Sequence, residues 1–175
     1  TGVQTCALPI YDHLQMKMIP FESMEAKLLN GTIFRTIKEH CVEASKELAV
    51  KYGEPPLMKG YGLRNSTLMA VAPVESSSVV INSTNGIEMP MSLISTKESK
   101  AGSFVQVVPE YHKLKNKYQM MWEQKDCDGY LKTAAVLAAY VDQSISTNTF
   151  YNPAHWADRK VPTTLIAKNL MQAHV

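Results

Sequence analysis

Thr67–Gly86 constrains this chain more than any other stretch. Thr67–Ala72 is a short apolar run without alternation, which suits a strand buried on both faces. Pro73 has no backbone N–H to give to a ladder, so it ends that strand. Glu75, Ser76, Ser77 and Ser78 follow, and a second apolar run starts at Val79. Serine is favoured at helix N-caps, where its hydroxyl accepts an orphan backbone N–H. A strand, a tight Ser-rich turn and a helix start bring free amides and the positive end of a helix dipole to one point. That arrangement suits an anion, but a capped helix end that binds nothing has the same pattern. Spacing alone leaves both open.

Composition narrows the class. The 175 residues are 45% hydrophobic and 19% charged, which fits one globular domain with a sizeable core. A net charge of +2 is too mild to argue for nucleic acid or a membrane surface, and no apolar run approaches a membrane span. Cys6, Cys41 and Cys127 form neither a CxxC pair nor a zinc spacing, so a reducing, cytoplasmic compartment is the expectation.

Thr1–Ile10 resembles the translation of a sequencing-library adaptor and is set aside from fold reasoning, with the native segment before Tyr11 expected to be missing. Tyr11–Met18 reads as a helix end that Pro20 blocks. A long helix is predicted over Met24–Tyr52, with an apolar stripe at Ile33/Phe34, Ile37, Cys41, Ala44, Leu48 and Tyr52. Gly53 is its stop. Cys41 on that stripe reads as a small buried hydrophobe, and His40 carries no chemistry. Leu57–Asn65 is a loop whose Arg64 is best read as exposed or structurally paired. Asn85-Gly86 is a turn pair, and Glu88 is either a buried anchor or a turn carboxylate.

Met91–Ser95 and Phe104–Val108 flank Lys97–Gly102 as a hairpin. Glu110–Trp122 is predicted as one amphipathic helix, with Tyr111, Leu114, Tyr118 and Met121 on a face opposite its lysines. Asp128 is expected to cap a helix over Tyr130–Asp142, whose Ala134, Ala135, Ala138 and Ala139 permit close packing. Asp126 and Asp128 around Cys127 lack a third ligand, so no metal is assigned. Ser146–Tyr151 reads as a second strand, and a last helix is predicted over Thr164–Val175.

Several blocks together resemble one family. Gly62–Leu68, Pro73–Ser78 and Asn82–Glu88 look like the large (alpha) subunit of class I ribonucleotide reductase, in that family's order and nearly its spacing. Gly129-Tyr130-Leu131 and Asp142–Thr149 match further along, so the likeness runs from about Tyr11 to Val175. The resemblance implies an α/β fold: the C-terminal portion of a ten-stranded barrel. It implies that Pro73, Val74, Glu75, Ser76 and Ser77 hold the diphosphate of a ribonucleoside diphosphate, chiefly through backbone amides. Val74 stands where the family often has a small hydroxyl residue, which puts one side-chain contact in doubt. An Ile-Glu pair in the family favours Glu88 as an anchor.

The same resemblance places the thiyl-radical cysteine, its assisting glutamate and asparagine, and the reducing cysteine pair upstream of Tyr11. Neither Cys41 nor Cys127 inherits a catalytic role, so no catalytic residue is assigned. It implies a parent that works as a large-subunit homodimer with a small (beta) subunit bearing a radical-generating metal centre. A thioredoxin- or glutaredoxin-type protein would supply electrons. A radical-relaying tyrosine pair would lie just beyond Val175, and the allosteric sites and reducing tail would also lie outside this sequence. The segment alone is expected to be inactive and to fold poorly, because cutting a barrel exposes strand edges. Two rival readings are a class II or III reductase segment and a non-catalytic phosphate-binding α/β module.

Overall fold

A computed structural model describes residues 10–99 and 102–174. The adaptor-like residues 1–9 and the hairpin tip at 100–101 therefore lie outside the described residues, but Ile10 does not. It opens helix α1 (Ile10–Met16) and is buried. After α1, Met18 takes a left-handed φ of 58°, and the Ile19 amide donates to Leu14 O at 3.0 Å.

Helix α2 (Met24–Tyr52) has the predicted bounds. The Ser23 hydroxyl accepts the Ala26 amide at 3.0 Å, and Gly53, at φ 76°, ends the helix in a conformation that favours glycine. The expected stripe holds only in part. The buried residues are Ala26, Asn30, Gly31, Phe34, Ser45 and Ala49, while Leu48 and Tyr52 are exposed and Cys41 is half-buried. Ser45 explains the turn of the buried face. Its hydroxyl accepts the amides of Arg64 and Asn65 at 3.2 and 3.0 Å, which draws the 57–65 loop over that side of the helix. Arg64 then donates to the carbonyls of Tyr52 and Gly53 at 3.1 and 2.6 Å, the structural pairing anticipated for it.

Helix α2 packs on α5 (Asp128–Ala138), and α5 on α6 (Thr163–His174). Gly31 lies at the first contact, where a Cβ would rest at an ordinary 3.6 Å from Val136 Cγ1. Two expectations for α5 are corrected. Cys127 occupies the cap position without a side-chain cap, while Asp128 sits in the first turn and gives its amide to Asp126 Oδ1 at 2.9 Å. Thr133, Ala134 and Leu137 are buried, whereas Ala135, Ala138 and Ala139 face outward, so no alanine patch makes the contact. The core is a run of rings, Tyr118–Tyr11–Phe21–Tyr130–Phe150, with successive centroids 5.8 to 6.4 Å apart. It ties the beginning, middle and end of the chain together, each ring pair adding roughly 0.5–1.5 kcal/mol beyond the buried area.

The hairpin is longer than predicted: β1 (Ile94–Ser99) pairs antiparallel with β2 (Gly102–Val107), so Lys97 and Glu98 belong to a strand rather than a loop. Gly102 has φ 125°, the freedom the tip needs. The helix predicted over Glu110–Trp122 reduces to α4 (Tyr111–Leu114). Gln15 Nε2 and the Tyr11 hydroxyl donate to the carbonyls of Lys117 and Gln119 at 2.7 and 2.6 Å, which takes those carbonyls from any helical ladder. Tyr118 and Met121 are still buried as the pattern required.

Neither predicted barrel strand forms as a strand. Thr67–Ala72 makes one parallel bridge, Val71 with Ile145, and 146–151 one antiparallel bridge, Asp126 with Tyr151. Among the described residues 67–72 pairs along 143–146, while 146–151 meets Val71 at Ser146 and Asp126 at Tyr151. The first segment is accordingly not buried on both faces: Met69 and Val71 pack on the core, while Ala70 and Ala72 are exposed. The described residues thus contain one two-stranded sheet, largely exposed, together with the helices.

Candidate anion-binding turn

The Ser-rich turn is built as strand-like segment, proline, helix. Backbone bonds run from the Gln143 amide to Met69 O (3.1 Å), the Val71 amide to Ser144 O (3.2 Å) and the Ser146 amide to Val71 O (2.8 Å). They hold 69–71 straight up to Pro73. Helix α3 (Glu75–Val80) begins two residues later. Val74 is its N-cap, at φ −120° and ψ 57°, with no side-chain cap. The expectation that serine caps this helix is therefore corrected: Ser76 and Ser77 lie inside its first turn. The Ser78 amide closes the first helical bond on Val74 O at 2.8 Å, and the Val74 amide donates to Asn85 O at 3.2 Å. By helical geometry the amides of Glu75, Ser76 and Ser77 have no intrahelical acceptor.

Of the five residues singled out from the sequence, Pro73 and Ser77 are exposed and Val74 is half-buried, so the turn opens to solvent. The side chains of Glu75 and Ser76 lie outside what the structure describes. The turn brings together backbone of all five, and that is its usable chemistry: several N–H donors at the positive end of a short helix.

Two carboxyl groups frame the chain after the turn. Glu88 is half-buried and accepts two contacts from Asn148 Nδ2, at 2.8 and 3.0 Å, so the hydrogen bond of the anchor expectation is present and the full burial is not. Burial raises its pKa, and the Asn148 bond opposes that shift. Asp12, from α1, accepts from the Ser83 hydroxyl at 3.5 Å and gives its amide to Thr84 Oγ1 at 3.3 Å. Its carboxyl is likewise raised by burial. Between the hairpin base and this loop lies a cavity of about 240 Å³, lined among others by Asn85, Glu88, Met89, Gln106, Met121 and Asn148. Asn85-Gly86, read as a turn pair, is a bend in which Gly86 has no positive φ; Asn82, at φ 48°, takes the left-handed position.

Sequence reasoning missed Asp142 and Asn148. Both fall in a block that carries the resemblance, yet nothing local marks them, because their partners are 60 to 74 residues away. Cys127 is buried with Sγ 3.7 Å from the Tyr151 hydroxyl. Among the described residues no group of three or more metal-ligating side chains converges, and no helix is long and apolar enough to cross a membrane.

Comparison with known proteins supplies the context. A family model described as "Ribonucleotide reductase, barrel domain" matches residues 56–175. The chain is 49% identical over 117 residues to the ribonucleoside-diphosphate reductase subunit alpha of Buchnera aphidicola subsp. Baizongia pistaciae, covering 67% of this chain and 15% of that protein. It is 45% identical over 117 residues to the ribonucleoside-diphosphate reductase 1 subunit alpha of Escherichia coli K12, with the same coverage. With the subunit alpha of Enterobacteria phage T4 it shares 43% over 116 residues, 65% of this chain and 15% of that protein. Among solved structures, the Actinobacillus ureae class Id ribonucleotide reductase alpha subunit matches with a TM-score of 0.76 and 26% identity, over 95% of this chain and 35% of that one. The chain therefore spans 15% of the length of these curated relatives.

Proposed function

This chain belongs to the ribonucleotide reductase barrel-domain family, and from that premise we propose that it is the part of a class I large chain that grips the substrate diphosphate. The parent reduces ribonucleoside diphosphates to deoxyribonucleoside diphosphates. Pro73, Val74, Glu75, Ser76 and Ser77 form the grip, and the backbone amides of Glu75–Ser77 donate to the phosphate oxygens. The observation that carries this reading is the start of α3: a helix opening behind a proline, with no side-chain cap at Val74 and with Pro73 and Ser77 exposed beside it. Charge-assisted bonds from backbone N–H to an anion are about twice as strong as neutral ones. A carboxylate at Glu75 is tolerated in a first helical turn because it favours the dipole.

In this reading the segment contributes binding and orientation. No reacting group is assigned to it. The parent's thiyl radical, its metal-bearing small subunit, its thioredoxin- or glutaredoxin-type reductant and its homodimeric large chain all act from outside these residues. A cytoplasmic location follows from that chemistry. The class Id title of the solved neighbour supports class I over the cobalamin and glycyl-radical classes.

The test is to exchange residues 56–175 into the E. coli subunit alpha and measure reductase kinetics. Glu75→Pro deletes one turn amide at the helix position that best accepts proline. Losing one charge-assisted hydrogen bond corresponds to a rise of about ten- to a hundredfold in KM for the diphosphate substrate. Glu75→Gln keeps the amide and should leave KM within about twofold. An inactive exchange, or a Glu75→Pro variant with unchanged KM, overturns the proposal.

A further inference from the structure

We infer that Asp142 is a positioning residue for substrate binding: it sets the register of the segment that delivers the diphosphate turn. This rests on the reading of that turn given above. The Asp142 carboxylate accepts the Leu68 amide through both oxygens, at 3.1 and 2.9 Å, and the Met69 amide at 2.8 Å. The chain on either side of this carboxylate is then zipped. Gln143 N–H meets Met69 O, Val71 N–H meets Ser144 O, and Ser146 N–H meets Val71 O. Six residues on from Asp142, Asn148 holds Glu88 on the far side of the turn. One stretch, 142–148, therefore grips the chain both before and after Pro73–Ser78.

The need for such a grip follows from how little else fixes the register. The parallel pairing has a single bridge, Val71 with Ile145. Sheet register is normally specified by a buried face, and a slip of one residue turns every side chain over. Here that face offers Met69 and Val71 only, with Thr67, Ala70 and Ala72 exposed. Two adjacent amides held by one carboxylate are a directional lock, since N–H···O geometry fails within a few tenths of an ångström beyond about 3.2 Å. The turn amides must meet phosphate oxygens with the same tolerance, six to nine residues further on. Asp142 is exposed, so water can satisfy Leu68 and Met69 when the carboxylate is removed. Its loss should thus leave the fold intact and blur the turn.

The experiment uses the same exchanged large chain, with Asp142→Ala and Asp142→Asn measured beside Glu75→Pro. Asp142→Ala should raise KM for the ribonucleoside diphosphate about tenfold while kcat stays within about twofold, the signature of lost binding rather than lost chemistry. Asp142→Asn keeps one acceptor for one amide, so its KM should rise about threefold. The split between KM and kcat, and the partial rescue by asparagine, are readouts that a merely structural role would not produce. If Glu75→Pro raises KM and neither Asp142 variant does, the inference fails while the turn stands. An Asp142 variant whose kcat falls in step with its folded fraction, at unchanged KM, also overturns it. If Glu75→Pro leaves KM unchanged as well, the turn itself is misassigned and the inference falls with it.

Discussion

The helical body and the turn region of this chain are held by different physics. In α2 and α5 most backbone bonds close within their own element, and the packing buries large side chains: Phe34, Tyr130 and Leu137 are 1%, 1% and 0% exposed. In 67–72 and 142–148 the backbone bonds run between the two segments, which are more than 70 residues apart in sequence. Carboxylates reach across as well, accepting from Leu68 and Met69 at Asp142, from Asn148 at Glu88 and from Ser83 at Asp12. The body should respond to lost volume, and the turn region to lost hydrogen bonds and to pH.

The widest gap between the two regions should appear in hydrogen exchange. Amides in the middle of α2 open only with the packed helices, whereas those of 67–72 open locally, so their protection should differ by roughly a thousandfold. Equal protection would erase the distinction. Within the body, Phe34→Ala removes a buried ring and should cost about 3–5 kcal/mol, read as loss of helical signal at lower urea. The same variant should leave exchange in 67–72 unchanged. If those amides speed up equally, the two regions form one cooperative unit.

Acid offers a test in which the two regions move in opposite directions. Burial raises the carboxyls of Glu88 and Asp12 above their ordinary range. A group that binds its proton more tightly folded than unfolded favours the fold at low pH, and that advantage is lost as pH rises through its folded pKa. Asp128 is the reverse. Bonds from Lys132 and Lys168 hold its carboxyl below the usual range. Its contribution is present above about pH 4, the unfolded aspartate value, and disappears as pH falls through its folded pKa. Asp128→Asn should therefore cost about 0.5–1 kcal/mol near neutrality and nothing in acid. Glu88→Gln should flatten the opposite slope. Unfolding midpoints measured from about pH 3 to 7 distinguish the two, and parallel slopes would sink the comparison.

The body was legible because its signals are local. Ser23 and Gly53 mark the ends of α2 within a residue or two of where they act. The turn was legible in outline, since Pro73 stops one segment and the serines start the next. The identity of the cap was not, because proline placement moved the helix start forward to Glu75. The strand expected over Thr67–Ala72 failed for a related reason: a run of apolar residues states a preference for burial, and only a neighbour on each side supplies it. Asp142 and Asn148 read as ordinary surface polar residues until the fold sets them against Leu68 and Glu88. The departure from helix at Lys117–Gln119 was equally hidden, because the groups bonded there, Gln15 and Tyr11, lie a hundred residues earlier.

The smallest effect is also the sharpest discriminator. Gly31 sits mid-helix in α2, where glycine costs about 1 kcal/mol against alanine. A Cβ there would rest 3.6 Å from Val136 Cγ1 and 3.7 Å from the Tyr140 ring, ordinary contact distances. Gly31→Ala should therefore stabilise the body by about 0.5–1 kcal/mol, gaining helix propensity and a small contact with α5. Gly86 lies in the turn region, outside any helix, and a Cβ there would meet nothing within 4 Å. Gly86→Ala should thus fall within about 0.5 kcal/mol of no change, because neither propensity nor packing is at stake. Urea unfolding of the two variants side by side decides the matter. A destabilised Gly31→Ala would mean that α2 and α5 cannot accept a methyl group beside Val136 and Tyr140, and that volume limits the body at this contact.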